Sequence, residues 1–274
     1  MADREGIRPQ RPHVKELIIV RHGETDRNIV RKIGHFPVRS DELHRTGFLP
    51  DYQIALNEVG RSQAICIGGA LATVYPKSKE CDVYFDSGYK RTRETLDLIL
   101  NQWGITKQIE PKQHSHLDLR EREAGYPFNM TITELNRNFP WYQEYADTVG
   151  RFYERPPGGE SIADVCSRVH MFLNSLRSAR PNQRVFIVTH SGVMLAFKYW
   201  LLKRSVPDEA ELLFDEETIN NCCVMIYRHK HKPSATDRQT FRREIIIEEQ
   251  VRKEFTKLVE VTTHQKRNGE RIRN

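Results

Sequence analysis

No run in this 274-residue chain is long and apolar enough to span a bilayer, so a membrane-embedded role is not expected. The stretch Met1–His13 is charged, carries Pro9 and Pro12, and lacks the apolar region of a signal peptide. Residues 1–14 therefore read as a disordered leader. Cysteine is scarce and odd in number, at Cys66, Cys81, Cys166, Cys222 and Cys223, with no Cys-x-x-Cys. That excludes a disulfide framework and a cysteine-based zinc site, and it makes a reducing compartment, the cytoplasm, the expectation. His35, His44, His114, His116, His229 and His231 show no ligand spacing tied to carboxylates. No metal and no cofactor is expected.

Charge is plentiful but uneven. The chain has 43 Lys and Arg against 37 Asp and Glu, a net +6. From His229 onward there are 12 basic and 7 acidic residues, so 12 − 7 = +5 of the excess lies in the tail. A solvated tail or an acidic partner would account for it. Nothing beyond charge points to nucleic acid. Self-association as a homodimer is left open.

What is present begins at Lys15–Thr25. The apolar run Leu17–Val20 suits a parallel strand buried on both faces. It ends abruptly in Arg21-His22-Gly23, at the strand end where open α/β sheets bind ligands. Arg21 offers a fixed fork to phosphate oxygens, and His22 offers an imidazole nucleophile. Gly23 is expected to let the chain turn without a Cβ in the way.

Strand and helix patterns then alternate. Asp26–Gln53, broken by Pro37 and Pro50, reads as one long loop. Asn57 caps a helix to about Val74 that Pro76 ends. Strand Asp82–Asp86 runs into Ser87-Gly88-Tyr89-Lys90-Arg91 and a helix from about Thr92 to Trp103. A short strand is expected near Gln108 and Ile109, and a polar loop from Asp118 to Met130. Short helices follow over Ile132–Asn138 and Trp141–Val149, where Trp141 and Tyr142 line a pocket or pack a lid. Helix Ser161–Ser178 keeps apolar spacing at Ile162, Val165 and Val169. Strand Arg184–Thr189 leads into His190 and a helix Val193–Leu202, and Cys222–Tyr227 reads as a last strand. Lys230–Gln239 is a linker. Beyond it, Thr240–Glu249 alternates weakly and Gln250–Val261 has a helical pattern, so the tail adds an edge strand or packs as a helix. The pattern argues an α/β fold, a mostly parallel open sheet with helices on both faces. The domain plan is leader 1–14, body 15–228 and basic extension 229–274.

Three strands thus end in basic residues, at Arg21-His22, at the turn bearing Arg91, and at His190. If they are sheet neighbours, two arginines and two histidines surround one phosphate-sized point. Phosphoryl transfer to a histidine also needs an acid to protonate the leaving alkoxide. Asp118, Glu121 and Glu123 are the candidates, and a nearby phosphate would keep such an acid protonated.

These residues resemble a known family. Arg21-His22-Gly23-Glu24-Thr25 with Asn28 matches the signature of the histidine phosphatase superfamily, the phosphoglycerate-mutase-like proteins. Leu56–Ala64, Ser87–Thr95, Leu119-Arg120-Glu121 with Gly125, Gly159-Glu160-Ser161 and Val188–Gly192 resemble its further motifs in order, from about Lys15 to Tyr227. Gly150-Arg151-Phe152-Tyr153 before Arg155-Pro156 resembles a branch found in fungi and plants. Ser191 departs from the family's usual glycine, the loop from Asn28 to Leu56 is longer than in compact members, and Glu123-Ala124-Gly125 lacks an aromatic before the glycine. The resemblance implies a phosphoglycerate mutase-like three-layer sandwich. It implies that His22 takes the phosphoryl group, that Arg21, Asn28, Arg91 and His190 bind its oxygens, and that Glu121 is the proton donor.

The function expected is therefore a metal-independent phosphatase acting on a phosphorylated small molecule or phosphoprotein through phosphohistidine. A phosphoglycerate mutase is the alternative within the fold. It needs a water-excluding lid, and His190 follows Glu121 by only 69 positions. A non-catalytic scaffold using the basic tail predicts a broken catalytic set, whereas all six positions are intact.

Overall fold

The computed structural model describes residues 14–30, 49–75, 80–105, 112–201 and 219–229, and the backbone of 241–244. Six strands form one sheet: β1 Glu16–Arg21, β2 Val83–Asp86, β3 Gln113–Ser115, β4 Arg184–Thr189, β5 Val224–His229 and β6 Phe241–Glu244, in the spatial order β3-β2-β4-β1-β5-β6. β1 through β4 are mutually parallel along their pairings; β5 runs antiparallel to β1, and β6 antiparallel to β5. The three strands that end in basic residues are neighbours in the order β2-β4-β1. In register, Arg21 faces Thr189 and Asp86 faces Val188, so their carboxyl ends share one rim.

The helices are α1 Asp26–Val30, α2 Glu58–Val74, α3 Lys90–Trp103, α4 Ile132–Asn138, α5 Tyr142–Val149, α6 Ile162–Ala179 and α7 Ser191–Leu201. Strand alternation sends Ile18, Val20, Tyr84, Phe186 and Val188 to one face, where Ile67, Leu71, Leu96 and Ile99 of α2 and α3 cover them. Leu17, Ile19, Phe85, Val185 and Ile187 face α6 and α7 through Val165, Phe172 and Phe197. The result is a three-layer α/β sandwich. Each fully buried aliphatic side chain stabilises it by roughly 1.5–3 kcal/mol.

Caps explain several boundaries. Asn57 accepts a hydrogen bond from the Gly60 amide, and Ser161 forms a reciprocal capping box with Asp164. Several expectations need correcting. The long loop begins with helix α1, because the Thr25 hydroxyl accepts from the Asn28 amide at 3.2 Å and caps that turn. The rest of that loop, 31–48, lies outside the described residues, and Asp51–Gln53 is a 3-10 turn. The polar loop after Asp118 carries two such turns, Leu117–Leu119 and Tyr126–Asn129. Helix α7 starts at Ser191, immediately after His190, since the His190 carbonyl already accepts from the Met194 amide. The last predicted strand starts at Val224, because Cys222 sits in a turn with φ +57°. Pro76, the strand at Gln108–Ile109, the linker and the helix Gln250–Val261 lie outside the described residues. The tail does supply an edge strand, since Phe241–Glu244 pairs with β5.

Gly23 does keep a Cβ out of the way, and what it clears is the backbone of a helix. A Cβ there would lie 2.4 Å from the Gly60 carbonyl oxygen, and a Cβ on Gly60 would lie 2.1 Å from the Glu24 carbonyl oxygen. The loop after β1 crosses the first turn of α2 backbone to backbone.

Candidate active site

His22 is pinned from three sides. Its amide donates to the Thr189 carbonyl at 2.9 Å, its carbonyl accepts from Asn221 Nδ2 at 3.0 Å, and the Gly23 amide beside it donates to Thr95 Oγ1 at 3.0 Å. Its Nδ1 lies 2.7 Å from its neighbour's carbonyl, Gly23 O. A carbonyl only accepts, so Nδ1 carries the hydrogen and Nε2 carries the lone pair. The ring is buried. Burial first, then the charges of Arg91 and Arg21, hold its pKa well below 6.5, so the imidazole is neutral.

His190 is fixed by a chain of hydroxyls. Thr92 Oγ1 donates its single hydrogen to the Tyr89 carbonyl at 2.8 Å. Ser87 Oγ, 2.9 Å away, must then donate to Thr92. Ser87 has no hydrogen left for His190 Nε2 at 2.8 Å, so Nε2–H donates to Ser87. His190 Nδ1 is left facing the site, buried and without a hydrogen-bond partner among the described residues. The His22 and His190 rings meet edge to face at 5.1 Å. His190 is fully buried and, like His22, held well below its usual pKa, by burial and then by Arg91 and His22.

Glu121 Oε2 lies 3.8 Å from His190 Nδ1. With His190 neutral, this is a polar contact rather than an ion pair. A clamp holds the loop that carries Glu121. Arg168, buried on α6, donates to the carbonyls of Asp118 at 2.5 Å and Glu121 at 3.3 Å, and grips both Glu160 oxygens at 3.0 and 3.1 Å. Glu160 in turn accepts from the Glu123 amide at 3.0 Å.

The two arginines are differently engaged. Arg21 donates to the Ile219 carbonyl through Nη1, and burial lowers its pKa while Glu121 opposes that shift. Arg91 is bound at both terminal nitrogens by the Asp51 carboxylate, at 3.0 and 3.1 Å, and also reaches the Asp51 carbonyl at 2.6 Å. The Nε atoms of both are buried without a partner among the described residues. Asn28 Oδ1 accepts from Thr25 N, Thr25 Oγ1 and Asn221 Nδ2, at 3.0, 3.0 and 3.2 Å. Its oxygen is committed to the protein, and its NH2 remains as the group it can offer a ligand.

Five of the predicted site residues, His22, His190, Arg21, Arg91 and Glu121, thus share one rim, and Asn28 is tied to His22 through Asn221. Of the rival acids, Asp118 turns towards His116, at 3.8 Å, and Glu123 is exposed. Trp141 is half exposed and packs with Phe139, Tyr142 and Tyr145 in a surface aromatic cluster. The reading missed Asp51, Ser87, Thr92, Asn221 and the Arg168–Glu160 clamp. Ser87 and Thr92 carried a signal, since both flank the expected Arg91, and so did Glu160, which lies in the Gly159-Glu160-Ser161 motif.

The model of the histidine phosphatase superfamily (branch 1) matches residues 17–239. The chain belongs to that superfamily. This histidine phosphatase superfamily member is 27% identical over 214 residues to phosphoglycerate mutase-like protein 4 of Arabidopsis thaliana, covering 78% of this chain and 79% of that one. It is 28% identical over 183 residues to the metal-independent phosphoserine phosphatase of the same plant, covering 67% of each. A solved mycobacterial glucosyl-3-phosphoglycerate phosphatase shares the fold, with TM-score 0.58 and 19% identity over 85% of this chain and 98% of that one.

Proposed function

We propose that this superfamily member hydrolyses phosphomonoesters through a phosphohistidine on His22. The observation that carries the reading is the hydrogen bond from His22 Nδ1 to Gly23 O, which presents a neutral Nε2 lone pair among arginine and histidine nitrogens. In the first step Nε2 attacks phosphorus, the P–O bond to the leaving group breaks, and Glu121 gives its proton to that oxygen. Arg21, Arg91 and Asn28 hold the phosphoryl oxygens, and His190 joins them once Nδ1 takes up a proton with the incoming phosphate, so that the charge is offset. In the second step the Glu121 carboxylate takes a proton from water. The resulting hydroxyl attacks phosphorus, and the P–N bond breaks to release phosphate.

The substrate is a phosphorylated small molecule or phosphoprotein, met in the cytoplasm. The body to 228 carries the chemistry. No helix among the described residues is long and apolar enough to cross a membrane. The likeness to a metal-independent phosphoserine phosphatase supports hydrolysis. The test is to incubate the protein with a labelled phosphomonoester and quench in alkali. An acid-labile phosphoryl group is expected, absent from His22→Ala; equal labelling of that variant would refute the reading.

A further inference from the structure

The three central residues also make a ligand set of another kind. One donor atom each from His22, Glu121 and His190 lies within 4.8 Å of the other two. Hydrogen bonding decides what each ring presents. His22 spends Nδ1–H on Gly23 O and keeps the Nε2 lone pair. His190 spends Nε2–H on Ser87 Oγ and keeps the Nδ1 lone pair, buried with no hydrogen-bond partner among the described residues. Glu121 Oε1 accepts from the Arg122 amide at 2.9 Å, while Oε2 faces His190 Nδ1 at 3.8 Å.

Two imidazole lone pairs and a carboxylate oxygen are the donor set of open zinc sites. Each imidazole is held from behind by an oxygen acceptor, the second-shell arrangement that orients metal-binding histidines. Tetrahedral zinc with bonds near 2.0–2.1 Å places its ligands about 3.3 Å apart, so the 3.8 Å contact needs to close by about half an ångström and the other donor pairs, within 4.8 Å, by up to about 1.5 Å. Two guanidinium groups stand against a cation here. Asp51 pairs Arg91 through two bonds, and Glu121 is the largest favourable charge acting on Arg21. Asp51 and Glu121 thus offset part of the arginine charge that bears on both histidines.

We propose that this trio is a zinc-binding site, and that zinc inhibits the protein by taking the His22 lone pair needed for phosphoryl transfer. The binding stands on geometry alone. The inhibition rests on the phosphatase reading given above.

The test uses the full chain, stripped with chelator and then dialysed, with Co2+ as the optical probe and Zn2+ as competitor. One equivalent of Co2+ should give the visible bands of a four-coordinate site, bleached by one equivalent of Zn2+. His190→Ala should abolish the bands. The near-isosteric Glu121→Gln, which keeps the fold, should weaken binding at least tenfold, and inorganic phosphate should compete. Turnover should fall as Zn2+ is added and recover with EDTA. Absence of the bands, or their persistence unchanged in both variants, would overturn the site. Zinc-insensitive hydrolysis would also overturn the proposal, while leaving the phosphatase reading intact. Zinc bound at the trio of a chain that hydrolyses no ester would bear out the site and refute the phosphatase reading, and with it the inhibition.

Discussion

Asp51 occupies both terminal nitrogens of Arg91, 40 residues away in sequence, and does so beside the histidines that burial first and Arg91 second hold neutral. The fork that the family resemblance assigns to phosphate is therefore held by a carboxylate. The two anions compete for the same donors. Asp51→Asn removes the competing charge and keeps the shape. Inorganic phosphate, measured as a competitive inhibitor, should bind about fivefold tighter, equivalent to about 1 kcal/mol for a partly exposed pair. Weaker binding would mean that Asp51 positions Arg91 rather than competing for it.

Stability should depend on pH through the two buried histidines. In the folded protein both are held neutral well below 6.5, by burial first. In the unfolded chain each takes a proton near 6.5. The contribution is therefore fully present above pH 6.5 and is lost as pH falls from 6.5 towards the depressed folded value. The slope is about 1.4 kcal/mol per pH unit for each ring. Urea midpoints taken between pH 6.5 and 5 should fall less steeply in His190→Gln than in the parent protein. Carboxylates contribute equally to both and cancel. Parallel slopes would show that His190 is already protonated in the fold.

Glu121 should matter in proportion to the basicity of the leaving group. An alkoxide needs a proton in the transition state, whereas nitrophenolate needs little help. In the burst phase, Glu121→Gln should slow phosphorylation by an alkyl phosphate by about 10²–10⁴-fold, and by nitrophenyl phosphate far less. If Glu123→Gln or a change at Asp118 shows that dependence instead, the acid has been misassigned.

Arg168 should act on the same step without touching substrate. Lysine keeps the charge but cannot hold two backbone carbonyls and a carboxylate at once. Arg168→Lys should forfeit part of the acid's contribution, about tenfold in the alkyl phosphate burst, with little change for nitrophenyl phosphate. An equal loss on both substrates would assign Arg168 a purely structural part.

Much of this was legible because the relevant signals are local. Leu17–Val20 and Val185–Val188 are unbroken apolar runs that lead into Arg-His and, through Thr189, into His, and burial on both faces leaves a strand no polar alternation to confuse the reading. The caps at Asn57 and Ser161 likewise need only their own next turn. Edge strand β3, Gln113–Ser115, is short and polar, so no period marks it. The turn at Cys222 puts a non-glycine residue at positive φ, which its side chain does not advertise. Asp51, Asn221 and Arg168 act across 40 to 199 residues of separation, and only the assembled sheet rim brings them to their partners.

The crossing of Gly23 and Gly60 ties His22 to a helix residue 37 positions beyond Gly23, with no room for a Cβ on either glycine. Gly23 is obligatory because of the Gly60 backbone and Gly60 because of the Glu24 backbone, so neither can be rescued by enlarging or trimming a side chain elsewhere. A library randomised at both positions and selected for fold should return the glycine pair. His22 consequently rides on a fixed mount, and under the proposed reaction any motion that admits substrate or releases phosphate falls to other parts of the site.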